Sequence, residues 1–393
     1  MAAEDDRPDV LVIGGGPAGS TVAGLLARRG WSVTVVDRAR FPRQKPCGEC
    51  VNPGAVDALR RLGLLDSVLD LDPAPLRGWR IRTFASREAV GTFGRGGVHG
   101  FGVPRRTLDR ALLQRARERG ARVEEGTKAE EVTPGGHDRD PVVRLRTATG
   151  DVETRSARIV VGADGLRSVT ARSLRVHRHR PRLRKLSLTL RIRGTGPPRE
   201  RGLLVLGDDE VVGLAPVHER RPLWNVTVVV RGSGRARQVT EDPAGFAMEA
   251  LRAAPIRWNE GPEPVGGPWA SGPFDRPVDR PTGGRIVLVG DAAGYFDPLT
   301  GQGIHRALRS AELAADAIDR TLRRPRESSE DELRTYDRTL LSEFRGGRRL
   351  QKAIEVVVSR RALREPVVSL LARAPRVLSA LVRITGDVAR CER

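Results

Sequence analysis

Residues 45–55 read KPCGECVNPGA and gather two thiols and a carboxylate, Cys47, Cys50 and Glu49, into four positions. A C-x-x-C spacing suits a redox dithiol or half of a zinc site, and equally a loop that is neither. Zinc needs four ligands, and the one other cysteine, Cys391, lies near the far end of the chain. A thioredoxin-like pair would open a helix in its own fold. The stretch alone leaves all three readings open.

A second constellation is the glycine turn GGGPAG at 14–19. Residues 10–13 read as a buried strand. Gly14 permits the tight turn off it, Gly16 lets a pyrophosphate approach the backbone, and Gly19 lets the following helix, 20–29, pack close to the sheet. A second strand, 32–36, ends at Asp37, where a carboxylate accepts hydrogen bonds from a ribose diol, with Arg38 beside it. Strand, helix, strand and acid in that order indicate dinucleotide binding without distinguishing NAD from FAD.

These residues need a parallel sheet to hold them, and the rest of the chain supplies its pattern. Helices are expected over 55–65, 106–119, 243–253 and 303–323, and strands within 79–103 and over 121–125, 144–147, 152–154 and 157–162. From 176 to 274 short apolar runs alternate with turns, the texture of an antiparallel sheet. A buried strand returns in 283–294, so the first domain is discontinuous. Residues 330–393 are helical in pattern, with breaks at Pro366 and Pro375.

Composition narrows the class. A chain of 393 residues, 39% hydrophobic, fills a sizeable core. Three cysteines suit a reducing cytoplasm. MAAEDDRPD carries no leader pattern, and no apolar run approaches the roughly 20 residues that span a bilayer. The net charge of +20 comes almost wholly from Arg, scattered except near 175–185 and 345–349, and aromatics are only 4%. That is too few for base stacking, so no nucleic-acid partner is expected. A positive field instead favours an anionic substrate or an anionic membrane face. Residues 364–387 are apolar on one side and Arg-rich on the other; packing over the substrate domain is preferred, with peripheral membrane contact as the alternative. Nothing indicates an oligomeric state.

Three further motifs bear on identity: PRRTLDRALLQRA (104–116), VVGADGLRSVTAR (160–172) and GRIVLVGDAAGYFDPLTGQGIHRAL (284–308). With these, the chain from about Asp9 to Arg320 resembles the FAD-dependent oxidoreductases of the aromatic-hydroxylase (class A flavin monooxygenase) superfamily, in the geranylgeranyl reductase-like branch. The resemblance implies an α/β fold. A Rossmann-type FAD-binding domain would comprise 9–78, 104–175 and 275–325, and a substrate domain 79–103 and the antiparallel sheet of 176–274, with a helical C-terminal region at 326–393. It implies that Asp291, after Gly290, holds the ribityl chain, that Asp164 sits near the pyrophosphate, and that Arg105 lies beside the cofactor. Pro298, Gly301, Gln302, Gly303 and Ile304 would run along the isoalloxazine edge, where a helix N-terminus favours the negative charge of reduced flavin. No second Gly-rich βαβ unit is present, so NAD(P)H, the expected donor, would use a shared groove.

On this resemblance Cys47, Gly48 and Glu49 match a substrate-side loop facing the flavin, with Cys47 and Glu49 as candidate catalytic groups and Cys50 an addition. The branch's aromatic strand, tyrosine-x-tryptophan-x-phenylalanine-proline, aligns with VVGLAP (211–216), which keeps only Pro216. The expected activity is therefore an NAD(P)H-using monooxygenase acting on a hydrophobic small molecule (polyketide, aromatic or isoprenoid) through an oxygen adduct at flavin C4a. The alternatives are an ene-reductase saturating an isoprenoid and a non-catalytic prenyl-binding protein of the same fold. His99, His305 and Trp224 are read as packing residues, and no metal is expected.

Overall fold

The computed structural model describes residues 7–85, 88–94, 98–136, 138–177, 185–231, 235–326 and 330–388. Cys391 lies outside them, as does much of the 175–185 basic cluster.

The continuous apolar run Val10–Ile13 is a strand buried on both faces, as a central parallel strand must be. It pairs in parallel with Val33–Asp37 on one side and Ile159–Gly162 on the other. The sheet runs 282–283, 286–288, 159–162, 10–13, 33–37, 122–125, and all of its pairings are parallel except that between its first two strands. Helix Pro17–Ala27 leaves the glycine turn with Pro17 in its first turn, where the missing N–H costs nothing. It packs against helices Arg105–Glu118 and Gly303–Arg323.

A second sheet has seven strands in the order 263–271, 185–193, 223–231, 210–216, 202–206, 78–83, 89–92. Its pairings are antiparallel except 202–206 with 78–83. Alternation along Lys185–Arg193 gives the sheet two characters. Leu188, Leu190 and Ile192 join Trp224, Val226 and Val228 under helix Pro243–Ala253, which contributes Phe246, Ala247 and Leu251. Ser187, Thr189 and Arg191 take the other face, beside Val229, Thr227 and Asn225 in register. That polar face borders the glycine-turn sheet, and the candidate site lies between them.

The expected strands of 79–103 divide between sheets. Gly78–Thr83 and Ala89–Thr92 extend the large sheet, whereas Gly100–Gly102 pairs with Cys50–Val51 and Ala74–Leu76 in a separate three-stranded one. The CGEC loop is thereby anchored by a strand of its own. At the C-terminus, helices Glu330–Ser359, Arg361–Arg373 and Pro375–Thr385 follow one another. Pro375 starts a helix, but Pro366 does not end one: it lies exposed within Arg361–Arg373, at the cost of one backbone bond. Leu378 and Val382 pack these helices over Ala89 and Phe93, at the edge of the seven-stranded sheet.

Candidate active site

The glycine turn works as its residue types require. Gly14 has φ +107, and a Cβ there would meet the Ala163 carbonyl oxygen at 2.5 Å. A Cβ on Gly19 would meet the Gly14 oxygen at 1.8 Å, so only glycine lets the helix seat. Asp37 braces this turn: its carboxylate accepts the Gly15 N–H and the Ala39 N–H, both at 2.8 Å.

Beside the N-terminus of helix Pro17–Ala27 stand two guanidiniums. A Cβ on Gly16 would lie 3.5 Å from Arg43 and 4.0 Å from Arg105. Both arginines converge on Asp109, which has no exposed surface. Arg105 grips it through Nε and Nη2 at 2.6 and 2.8 Å, and Arg43 reaches it at 3.1 Å. Burial opposes the charge on Arg105, yet Asp109 and the adjacent Cys47 hold its pKa above the ordinary arginine value. Two cations share one carboxylate here, leaving a net positive charge at a helix N-terminus.

The cleft that opens here is lined by Gly16, Cys47, Glu49, Arg105, Gly290, Asp291, Pro298, Gly301, Gly303 and Ile304, all expected at the site. It does not collect every expected residue. Gly14, Gly19 and Asp37 build the turn behind it, and Arg38 is exposed. Asp164 turns away to cap the helix Val169–Ser173, taking Ser168 Oγ at 2.6 Å and the Val169 N–H at 2.7 Å. Those donors at a helix start are its nearest partners. Gln302 also points elsewhere, bonding Asp387 and Gln351.

Residues not foreseen complete the cleft. Lys45, half-buried, lines it; desolvation and then Arg105 lower its pKa, against the pull of Asp291. Tyr295 lines it too, its phenol pushed well up by burial and then by Asp291 and Asp297. Lys185 binds Asp297 at 2.9 Å and also Glu355, while Asp297 accepts the Leu299 N–H at 2.8 Å, which fixes the 298–301 turn. Asp387 is held by Asn52, Gln302 and, at 2.8 Å, His305. His305 is thus a buried brace. Trp224 is sheet packing, its indole N–H on the Gly194 carbonyl.

Glu49 takes φ +56, a left-handed conformation costly to a side-chain-bearing residue, and is held there from several sides. Its Oε1 accepts the Arg105 N–H at 2.8 Å, Oε2 lies 2.5 Å from Arg191 Nη2, and its carbonyl accepts the Val103 N–H. Burial, the largest influence, raises the Glu49 pKa against the pull of Arg191 and of the Arg105 N–H. Cys47 Sγ accepts the Glu49 N–H at 3.3 Å, and its carbonyl accepts from Asn225. Cys50 donates to the Gly48 carbonyl, and burial drives its thiol pKa up, keeping it neutral. Both are free thiols, and among the described residues no three potential metal ligands cluster.

An apolar pocket continues from the cleft. The two share Gly48, Cys50, Thr227, Pro298 and Gly301. Its walls are Val211, Gly213, Leu214 and Ala215 of the VVGLAP strand, with Leu204, Leu299 and Trp79. Trp79, two strands away in the same sheet, is the one aromatic lining it, and nothing local to its sequence signals that role.

The cleft fits FAD on its chemistry. A cationic helix N-terminus suits the pyrophosphate, and Asp291 the ribityl hydroxyls. Gly301, φ +65, together with the start of helix Gly303–Arg323, suits the electron-rich edge of the ring system.

The comparisons agree. A family model described as FAD binding domain matches residues 7–341. The chain is 33% identical over 323 residues to menaquinone reductase of Mycobacterium tuberculosis, covering 80% of this chain and 77% of that one. It is 30% identical over 330 residues to digeranylgeranylglycerophospholipid reductase 1 of Methanopyrus kandleri, covering 79% and 81%. Among solved structures, the flavin-dependent halogenase CmlS superposes with a TM-score of 0.76 at 27% identity, covering 86% of this chain and 62% of that one.

Proposed function

The chain belongs to the FAD binding domain family and is an FAD-dependent oxidoreductase, and from that membership we propose that it saturates carbon–carbon double bonds in a prenyl-bearing substrate. The observation that carries this reading is the junction at the CGEC loop. There an apolar pocket opens onto the cofactor cleft beside the half-buried thiol of Cys47 and the buried carboxylate of Glu49. Two of the relatives are named as reductases, one of them of a digeranylgeranyl lipid.

FAD, when bound, supplies the two-electron transfer. Saturating an alkene also requires a proton at the second carbon and the exclusion of water. Val211, Gly213, Leu214, Ala215 and Leu204 exclude water along the chain-binding pocket. Glu49 is the proposed proton carrier, its proton affinity raised by burial and its carboxyl oriented by the Arg105 N–H and Arg191. Cys47 lies between Glu49 and Arg105 and shapes the approach.

Reduced pyridine nucleotide is the proposed donor. On the far side of the Glu49–Arg191 pair a groove of about 690 Å³ is lined by Arg106, Arg191, Arg193, Arg221 and Trp269. Its arginines suit a diphosphate, and the indole an aromatic base.

Oxygenation is the second reading, favoured by one observation: the pocket wall is small and aliphatic where the reductase branch is aromatic, as suits a dry site for a bulkier molecule. Consumption of NADPH with a C20 prenyl substrate under strictly anaerobic conditions separates them. The reductase reading expects turnover to continue without oxygen, and its arrest would favour oxygenation.

A further inference from the structure

Five of the nine exposed large apolar side chains among the described residues fall in the three C-terminal helices. They are Val356, Leu363, Leu370, Val377 and Ile384, at 44%, 38%, 65%, 54% and 54% exposure. Leu363 and Leu370 share one helix and Val377 and Ile384 the next, each pair seven residues, about two helical turns, apart, with the chain leaving helical geometry at Arg360 and Ala374 between the helices. The opposite faces are committed: Val358, Val368, Leu378 and Val382 are buried in a core shared with Ala89 and Phe93. The stripe is therefore held outward by packing.

Its charges are one-sided. Lys352, Arg360, Arg361, Arg373 and Arg376 are exposed among these apolar residues. Between residues 352 and 388 every carboxylate is turned inward or engaged: Glu355 on Lys185, Glu365 on the Thr83 hydroxyl, and Asp387 on Asn52, Gln302 and His305. Asp208, beside the stripe, is taken by Arg361 and Arg364. Scattered exposed apolar residues need no explanation, but a periodic set interleaved only with cations does. Among the described residues no helix is long and apolar enough to cross a membrane.

We infer that this face docks on the surface of an anionic lipid bilayer. The apolar stripe enters the headgroup boundary while Lys352, Arg360, Arg373 and Arg376 meet the lipid phosphates. This goes beyond the proposed reaction and does not depend on it. It also supplies a reason for the apolar pocket, since a prenyl substrate would reside in that bilayer.

The test is co-sedimentation of the full-length, FAD-loaded chain with equimolar phosphatidylglycerol–phosphatidylcholine vesicles, and with phosphatidylcholine alone. Binding is expected on the anionic vesicles, weak on the neutral ones, and reduced by salt. Leu370→Glu with Val377→Glu should lower partitioning at least about tenfold, and Arg373→Gln with Arg376→Gln should do so on anionic vesicles only. FAD content and turnover of a detergent-dispersed substrate should not change, so loss of docking is read apart from loss of reaction. Equal partitioning of the variants, or no binding to anionic vesicles, overturns the inference. So does a dimer in sedimentation velocity that Leu370→Glu dissociates while vesicles remain unbound, because the stripe would then cover a second copy.

Discussion

Glu49 and Arg191 meet at 2.5 Å, Oε2 to Nη2, with side chains only 2% and 9% exposed, and they separate two spaces of different character. On one side lies the cleft lined by Asp291 and Gly301; on the other lies the arginine groove. Neither group is affordable alone at that depth, and removing one partner of such a pair typically costs about 3–5 kcal/mol.

The carboxyl's role follows from its placement. Glu49→Gln keeps an acceptor for the Arg105 N–H but removes the transferable proton. FAD should remain bound while turnover falls by about 10²-fold or more. Because the folded pKa is raised, the protonated form persists above the usual glutamate range, and activity dependent on it is lost as pH rises through that pKa. A pH–rate profile of both proteins checks this, and an unchanged profile in Glu49→Gln counts against the assignment. Cys50→Ser should leave turnover nearly intact; collapse with FAD retained would restore the dithiol reading.

The arginine groove makes a separate claim. Arg106→Gln and Arg221→Gln should each raise KM for NADPH about tenfold, the size of one lost charge-assisted contact. Photoreduced protein, which bypasses the donor, should react with substrate as before. Stopped-flow reduction with NADPH measures the first step, and equal rates in the variants would remove the groove from the account.

Gly213 lines the apolar pocket. A Cβ there already lies 3.3 Å from Leu204 Cδ2, so Gly213→Phe fills the space, and overpacking of this kind costs about 1–3 kcal/mol. Long prenyl substrates should lose turnover at least tenfold while the protein stays yellow. Retained turnover would mean the chain binds elsewhere.

Asp337 supplies a stability signature away from the chemistry. Burial pushes its pKa up to about 6, against the Thr282 hydroxyl that donates to Oδ2 at 2.8 Å. A raised carboxyl pKa stabilises the fold below the unfolded value, near 3.8, and that contribution is lost as pH climbs through about 6. A shift of this size corresponds to about 3 kcal/mol at most. Tm of the wild-type chain should decline between about pH 4 and pH 6 more steeply than that of Asp337→Asn, and parallel curves would contradict the shift.

Much of this was legible in the chain because it is local. The glycine turn, helix Pro17–Ala27 and strand Val33–Asp37 follow from consecutive residue types, and the 104–116 motif carries Arg105 and Asp109 one helical turn apart. What escaped joins distant segments. Lys185 meets Asp297 across 112 positions and Glu355 across 170, and no periodicity signals either. Arg191 sits in an ordinary alternating strand, and only the fold brings it to Glu49. Asp164 and Gln302 went the other way: their motifs are real, but nearer donors and acceptors claim the side chains.

The central claim is that the pocket at the CGEC loop presents an alkene for saturation. It is tested most directly by the mass of the product formed from a C20 prenyl substrate with NADPH under isotopically labelled oxygen. The account predicts a product that has gained two hydrogens per reacted double bond, carries no labelled oxygen and forms equally well under argon. A product containing labelled oxygen, and none under argon, would contradict it.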